Sequence, residues 1–394
     1  MAKDTSTTGR SLPEPQSGPL GGPQQGPRDA MRQRQNPDLL IPPRTDAGTM
    51  PNLRFSFADA HVRLQPGGWT NEVTQLELPI ATEISGVQMH LNGGDTMTGT
   101  REMHWHTQGE WAYMLAGTAR ITALDPRGGA FVDDVQTGDL WFFPAGFPHS
   151  IQAHSDGCEF LLTFDDGGFS ENGTLLLSDF LRHMPPEVVA KNFGQPEAAF
   201  ATIPQQDLYI FWAPLPVPLA EARAQVANAN APAPQLSYHL SDREWVTCPG
   251  GKLVTVDTAQ FPVTTISAAI VEVAPGAMRE LHWHPNADEW QYYLEGSARM
   301  TVFDSSSLAR TFDYQAGDVG YVPKVLGHYV ENTGDGPMRF LALFRHPLYQ
   351  DVSLTQWLAL TPPGLVKAHL NVGDDVIAGF SKTKQSVVGG GNRA

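Results

Sequence analysis

The chain has little cysteine and no long apolar segment. Only Cys158 and Cys248 are present among 394 residues, which excludes a framework of several disulfide bonds. No run of eighteen or more apolar residues occurs, so the sequence predicts no transmembrane helix. Residues 1–15 are polar and lack the apolar core of a signal peptide. These absences predict a cytoplasmic protein without a membrane partner.

Positive charge is also scarce. The chain has 26 Lys and Arg residues against 42 Asp and Glu residues, and its formal net charge is −16. A protein of this charge repels nucleic acids and anionic membrane surfaces, so we expect neither as a partner. It also repels an acidic substrate at long range. Such a substrate would therefore need a local cation in its binding site.

Turn residues and short apolar runs dominate the rest of the chain, which is typical of an all-β sandwich or barrel. Residues 1–53 are rich in Pro, Gly, Gln and Arg and predict a partly disordered N-terminal arm. Residues 219–233 are rich in Ala, Asn and Pro and predict a connection between two halves. We therefore expect a first domain over residues 54–233 and a second over 234–394, the second ending in a helical segment.

One pattern of His and Glu residues occurs twice. Each copy has a His-x-His pair, a Glu shortly after it, and a third His downstream of a Gly-Asp turn. The two sets are His104, His106, Glu110 and His149, and His282, His284, Glu289 and His328. The second set lies 178 or 179 positions after the first, which indicates a duplication with one copy in each domain.

The residue types in this pattern favour a metal site. Side chains alternate between the two faces of a strand, so the two histidines of each pair point the same way. Three imidazoles and one carboxylate can hold a divalent cation and leave positions for water or substrate. Paired histidines can instead be polar surface residues, but the repeated spacing disfavours this interpretation. Ligand type alone does not choose among Zn, Fe, Cu, Ni and Mn.

Longer strings around the ligands resemble a known family. The strings 101–106, 110–113, 164–167, 169–172 and 279–286 resemble those of two-domain cupins that decarboxylate oxalate. The resemblance covers about residues 35–385 and implies two tandem cupin (double-stranded β-helix, or jelly-roll) barrels with short helices. It also implies Mn²⁺ in both sites, O2 as redox co-catalyst, and a homo-oligomer, either a trimer or a hexamer of two trimers. The implied reaction converts oxalate to formate and CO2.

Further residues point to substrate binding. Arg101 and Arg279 lie three residues before the two His-x-His pairs, and each guanidinium can clamp a carboxylate with two hydrogen bonds. By the resemblance, a polar loop in the first domain is a lid, and its Glu171 accepts and returns the proton. The lid residues are Ser170, Glu171, Asn172, Gly173 and Thr174. Its counterpart in the second copy has Leu348 in place of the acid, which implies turnover in the first domain and a structural or redox-supporting second metal.

The chain departs from the family pattern at three points. Gly173 stands where the lid usually has Ser, and Ala342 stands where some bacterial relatives have an acid. Segment 91–100 is longer than its counterpart 273–278, and we expect a longer loop there, leading into Arg101.

Three alternatives to oxalate decarboxylation are open. An oxalate oxidase would release H2O2 and CO2. A non-catalytic bicupin of the binding or seed-storage kind is disfavoured by the intact ligand sets. The third alternative is an iron-dependent cupin dioxygenase.

Overall fold

The computed structural model describes residues 26–240 and 243–390. Most of the predicted disorder in the arm falls on residues 1–25, which lie outside the described residues. No helix in the described ranges is long and apolar enough to cross a membrane.

The described part of the arm packs on the second half of the chain. It contains two short helices, α1 (Ala30–Gln35) and α2 (Pro37–Leu40). The backbone N–H of Asp38 donates to a carboxylate oxygen of Asp313 at 2.9 Å, and the Asp38 carboxylate pairs with Arg299. The arm is therefore anchored at this point by polar contacts.

The first half of the chain is an antiparallel β-barrel followed by short helices. Its strands are β1 (Arg54–Ser56), β2 (Val62–Gln65), β3 (Gly68–Val73), β4 (Ser85–Leu91), β5 (Met97–Trp105), β6 (Glu110–Leu124), β7 (Ala130–Gln136), β8 (Leu140–Phe143), β9 (His149–Phe164), β10 (Leu175–Leu176) and β11 (Ile210–Pro214). Its helices are α3 (Leu177–Arg182), α4 (Pro186–Phe193) and α5 (Leu219–Val226), and single 3-10 turns lie at Phe57–Asp59, Glu171–Gly173 and Glu197–Phe200.

The second half repeats this plan. Its strands are β12 (Ser237–Tyr238), β13 (Val246–Cys248), β14 (Gly251–Val256), β15 (Ser267–Val273), β16 (Met278–Trp283), β17 (Glu289–Glu295), β18 (Ser297–Asp304), β19 (Leu308–Gln315), β20 (Asp318–Val322), β21 (Gly327–Asn332), β22 (Met338–Phe344), β23 (Val352–Ser353) and β24 (Val387–Val388). Its helices are α6 (Leu354–Ala359), α7 (Pro363–Leu370) and α8 (Asp374–Ala378). The prediction of two tandem all-β barrels with short helices is confirmed.

The second barrel consists of two separate sheets, whereas the first barrel forms one continuous sheet. One sheet runs β1-β20-β17-β22-β15-β14-β13, and the other runs β19-β18-β21-β16-β23 with β24 beside β16. In the first barrel, the long strands β6 and β9 join both sheets into one. Strand β6 bends at Gly117, whose φ of +75° favours glycine. In the second barrel Gly296, with φ of +80°, separates β17 from β18 at the equivalent place.

The halves exchange short strands. Strand β1 pairs with β20 of the second barrel, with Arg54 opposite Gly320. Strand β12 pairs with β8 of the first barrel, with Ser237 opposite Trp141. The chain therefore crosses between the barrels close to both predicted domain boundaries. Those boundaries, at residues 53/54 and 233/234, stay a prediction.

The extra residues before Arg101 lie mostly in a strand. Strand β5 has 9 residues, against 6 in its counterpart β16. The added length pairs with β11, where Trp212 lies opposite Gly99 and Pro214 opposite Met97. The expected longer loop is wrong, because the chain continues the sheet there.

Large buried side chains connect the two barrels. One core cluster contains Trp111 and Phe142 of the first half together with Trp290, Tyr292 and Leu341 of the second. Residues of both halves thus share one apolar core, in addition to the core inside each barrel.

Trp290→Ala tests this shared core. Trp290 is 0% exposed, so the truncation should lower the free energy of unfolding by about 3–5 kcal/mol. Denaturant titration would measure the loss. Trp212→Ala is the matched control, because Trp212 is 38% exposed and should lose less than half as much. Equal losses in the two variants would contradict a shared core around Trp290.

Candidate metal centres

The four candidate ligands of the first half meet inside the first barrel. His104 on β5 lies opposite His149, the first residue of β9. Glu110 begins β6, and His106 follows the end of β5. One donor atom from each of the four residues lies within 4.8 Å of the others, and each residue is at most 4% exposed. The strand pairing therefore gathers four sequence-distant donors into one buried group.

The second half has the same arrangement. His282 on β16 lies opposite His328 on β21, and Glu289 begins β17. The donor atoms of these three residues and His284 again lie within 4.8 Å of one another, and the residues are at most 3% exposed.

Each of the six histidines points its Nδ1 atom at a backbone carbonyl. This contact fixes the proton on Nδ1 and leaves the lone pair of Nε2 for a metal. The contacts are His104 to Glu102 O at 2.6 Å, His106 to Gln108 O at 2.7 Å, His149 to Phe147 O at 2.9 Å, His282 to Glu280 O at 2.7 Å, His284 to Gln350 O at 2.8 Å and His328 to Leu326 O at 3.0 Å.

The buried Nε2 atoms fit a bound cation. Those of His149, His284 and His328 make no hydrogen bond. His149 Nε2 lies 3.4 Å from Glu110 Oε2, and His328 Nε2 lies 2.8 Å from Glu289 Oε2. A buried polar atom without a partner costs free energy, which a metal ion would remove by accepting these lone pairs. The residues present therefore fit a divalent metal in both barrels.

The protonation states also suit metal binding. Burial lowers the pKa of His104 and of His282 well below the ordinary value, and the charges of Arg101 and Arg279 respectively lower it further. Burial acts to raise the pKa of Glu110 and Glu289, but neighbouring imidazoles outweigh it and hold both values well below the usual range. Neutral imidazoles and an ionised carboxylate are the states in which these groups ligate cations.

Arg101 is buried beside the first centre and has no acidic partner among the described residues. It is 3% exposed, and its Nη1 donates to the carbonyl of Tyr209 at 3.2 Å. Its guanidinium also lies over the Tyr209 ring, 4.0 Å from the centroid. The Arg63 guanidinium also lies over that ring, 3.7 Å from the centroid. The carbonyl and the ring orient Arg101 without neutralising its charge.

Arg279, the equivalent residue, is in a different environment. Its Nη1 donates to Ser386 O at 3.0 Å and its Nη2 to the Tyr349 hydroxyl at 3.2 Å. Nη2 also forms an ion pair with Asp351, whose side chain is 3% exposed. The charge of Arg279 is therefore already balanced inside the protein.

Glu171 is more buried than a polar loop residue would be. It begins a 3-10 turn and is 8% exposed. Its Oε1 accepts a hydrogen bond from Thr70 at 2.7 Å, and its backbone N–H donates to Glu72 at 3.2 Å. Burial raises the pKa of Glu72, with a further contribution from the charge of Glu171. Among the predicted lid residues, Asn172 accepts a hydrogen bond from Arg63 at 3.3 Å.

Comparisons with known proteins agree with this geometry. The cupin family model matches residues 57–197 and 239–378, one match in each barrel. Oxalate decarboxylase OxdC of Bacillus subtilis is 51% identical over 378 residues, which cover 96% of this chain and 97% of that protein. The chain belongs to the oxalate decarboxylase family of two-domain cupins.

One further relative and one solved structure extend the comparison of this cupin. A probable oxalate decarboxylase of Arthroderma benhamiae is 40% identical over 360 residues, covering 90% of this chain and 87% of the relative. A solved structure of the Bacillus subtilis enzyme, from a study of its Mn(II) centres, has a TM-score of 0.93 at 51% identity and covers 96% of this chain and 100% of that one.

Several residues around the centres are missed by the sequence patterns. Glu102 accepts the backbone N–H groups of Ser178 at 2.7 Å and Tyr209 at 2.9 Å, so it fixes the segments beside Arg101. The Arg-Glu pair recurs as Arg279-Glu280, and this repetition is a signal that could have found both acids. Tyr209 and Asp351 have no such signal, because each is distant in sequence from the ligands and lacks a counterpart of the same type.

Proposed function

We propose that this cupin converts oxalate to formate and CO2 at the first centre. The observation that carries the proposal is the 51% identity, over 96% of the chain, to an enzyme named oxalate decarboxylase. The buried His3Glu centre, the unpaired Arg101 and the buried Glu171 support it. An oxalate oxidase, the alternative, would release H2O2 and CO2 from the same substrate and no formate.

Both centres would hold Mn²⁺, with His104, His106, Glu110 and His149 as the first ligand set and His282, His284, Glu289 and His328 as the second. Manganese so bound, with O2 as redox co-catalyst, supplies a positive charge for the oxalate oxygens and the one-electron chemistry that assists loss of CO2. Protein side chains bind the substrate and transfer the proton.

Arg101 binds a carboxylate of oxalate. Its guanidinium offers parallel N–H donors in the plane that a carboxylate needs. Burial strengthens this attraction, because little water competes for either partner. This local positive charge attracts an anionic substrate, which the net charge of −16 would otherwise repel.

Glu171 handles the proton. Its carboxylate accepts the proton of hydrogen oxalate and returns it to the carbon that becomes formate, so each turnover releases one CO2 and one formate. The hydrogen bond from Thr70 holds Oε1, which leaves Oε2 to carry the proton. The segment Ser170–Thr174 acts as the lid that brings Glu171 to the substrate and excludes water. The second centre, which has Leu348 in place of this acid, supports the fold or electron transfer.

Assembly and location belong to the same proposal. Large apolar side chains are exposed on both barrels, among them Met103 at 56%, Phe180 at 48%, Phe303 at 57% and Val325 at 60%. Apolar surface of this kind favours association with further copies of the chain. We expect a trimer or hexamer, which light scattering after gel filtration would measure. The free thiols Cys158 and Cys248 suit the reducing cytoplasm.

Glu289→Gln tests the metal assignment. A neutral amide is a poorer ligand than a carboxylate, so the purified variant should contain one Mn per chain instead of two. Elemental analysis after manganese loading measures this content. Glu187→Gln is the control, because Glu187 lies in the first turn of the exposed helix α4 and should keep both metals. Zinc or iron as the native metal, with no gain of activity on manganese loading, would count against the assignment.

A further inference from the structure

The pairing register identifies equivalent residues in the two barrels. Strand β10 pairs with β5 so that Leu175 lies opposite Trp105. Strand β23 pairs with β16 so that Val352 lies opposite Trp283. The residue before each short strand is Thr174 in the first barrel and Asp351 in the second. Asp351 thus occupies the last position of the segment that corresponds to the predicted lid.

The two arginines are equivalent by the same test. Arg101 lies opposite Ile210 of β11, and Arg279 lies opposite Val387 of β24. Each Nη1 donates to the carbonyl of the residue just before that partner, which is Tyr209 in one barrel and Ser386 in the other. The guanidinium groups are therefore anchored in the same way.

The two guanidinium groups differ in their charged partners. Arg279 forms its ion pair with Asp351, and the Tyr349 hydroxyl contacts both, donating to Asp351 at 3.1 Å and lying 3.2 Å from Arg279 Nη2. Lys384 pairs with the other oxygen of Asp351. Thr174 brings no charge to Arg101, and no described carboxylate lies within ion-pair distance of that residue. Asp351 therefore supplies in the second barrel the carboxylate that a substrate would supply in the first.

A ligand-sized space lies beside this ion pair. A cavity of about 620 Å³ is lined by Tyr349, Asp351, Lys384 and Ser386, among others. Without Asp351, Arg279 would keep only a more distant carboxylate, that of Glu280, whose Oε1 lies 3.6 Å from Nη1. Lys384, which lines the cavity, would have no ion-pair partner among the described residues. Two cations that share one distant carboxylate would attract a small anion to this position.

We propose that Asp351 is an internal carboxylate that closes the second barrel to oxalate and so confines substrate to the first. The inference rests on the proposed function, because it takes oxalate as the substrate. An incoming oxalate would have to displace a side chain that the fold already holds on Arg279. An intramolecular carboxylate has the advantage in this competition, since its translational freedom is already lost.

Counting bound oxalate tests the inference. Manganese-loaded Glu171→Gln protein, which should turn over slowly, is dialysed against labelled oxalate without O2. One oxalate per chain is expected for this variant, and two for Glu171→Gln combined with Asp351→Thr, the residue of the first barrel. Asp351→Asn in the same background should also give two. Asp351→Glu keeps the carboxylate and should stay at one.

Other counts would overturn it. One oxalate per chain in both neutral Asp351 variants, with two Mn bound, would show that Asp351 does not exclude substrate. Loss of the second metal from both variants would show that Asp351 supports the metal instead. Failure of the proposed function is distinguishable, because the native protein would then make no formate and the Glu171→Gln protein would bind no oxalate.

The reciprocal exchange gives an independent readout. Thr174→Asp places a carboxylate near Arg101 and should lower kcat/KM for oxalate about 10- to 100-fold, mainly by raising KM, while both metals stay bound. Thr174→Asn makes the same change in shape without the charge, so any effect on the lid itself is shared, and its KM should rise by a clearly smaller factor than that of Thr174→Asp. Equal effects of the two substitutions would contradict the inference.

Discussion

Glu171→Gln is expected to lower the rate of formate production by about 10²–10⁴-fold, because the amide cannot accept and return a proton. Gln has nearly the same shape and can keep the hydrogen bond from Thr70, so the fold and both metals should be retained. Steady-state formate assays and elemental analysis measure the two quantities. The residual turnover should shift toward H2O2 and CO2. Without proton delivery by residue 171, O2 can oxidise the product of CO2 loss before it becomes formate.

The matched control for this variant is Glu187→Gln, which removes a carboxylate from an exposed helix and should leave the rate unchanged. The contrast with Glu289→Gln separates a catalytic acid from a ligand, because only the latter should lose a metal. Formate production at the wild-type rate by Glu171→Gln would mean that the segment 170–174 is an ordinary connection.

Arg101→Lys is expected to lower kcat/KM for oxalate about 10- to 100-fold with both metals retained. Lysine keeps the positive charge but loses the planar pair of donors and the stacking on Tyr209. The loss of one charge-assisted hydrogen bond has this magnitude. Oxalate kinetics and metal analysis measure the effect.

Arg310→Lys is the control for this substitution. Arg310 has contacts of the same kinds, since it donates to Met50 O at 2.9 Å and lies over the Phe312 ring at 4.8 Å. It lies on β19, outside both centres, so its replacement should leave kcat/KM unchanged. Near-normal kinetics of Arg101→Lys would rule out the clamp.

The parts of the site that sequence reasoning found are those that repeat. The spacing of His104, His106, Glu110 and His149 recurs in the second half, and the alternation of side chains along a strand places the paired histidines together. Strand runs such as Met338–Phe344 were equally readable, because a buried apolar segment bounded by turns has few other interpretations.

The parts that sequence reasoning missed depend on contacts between distant segments. The exchange of β1 and β12 between the barrels leaves no local signal, because each is a very short strand. From its sequence context, Asp351 is interpreted as an ordinary acidic residue of a loop. In the fold it forms an ion pair with Arg279. From its sequence context, Glu171 is interpreted as a solvated carboxylate. In the fold it is buried and accepts a hydrogen bond from Thr70. Single charged residues acquire such roles from tertiary structure, which periodicity does not report.

The products formed from oxalate test the central claim most directly. Manganese-loaded protein is incubated with oxalate in the presence of O2, and formate, CO2 and H2O2 are measured together. The proposed function predicts one formate and one CO2 for each oxalate consumed, with little H2O2. H2O2 and CO2 without formate would establish an oxalate oxidase instead, and unchanged oxalate in protein that holds two Mn per chain would contradict catalysis on this substrate.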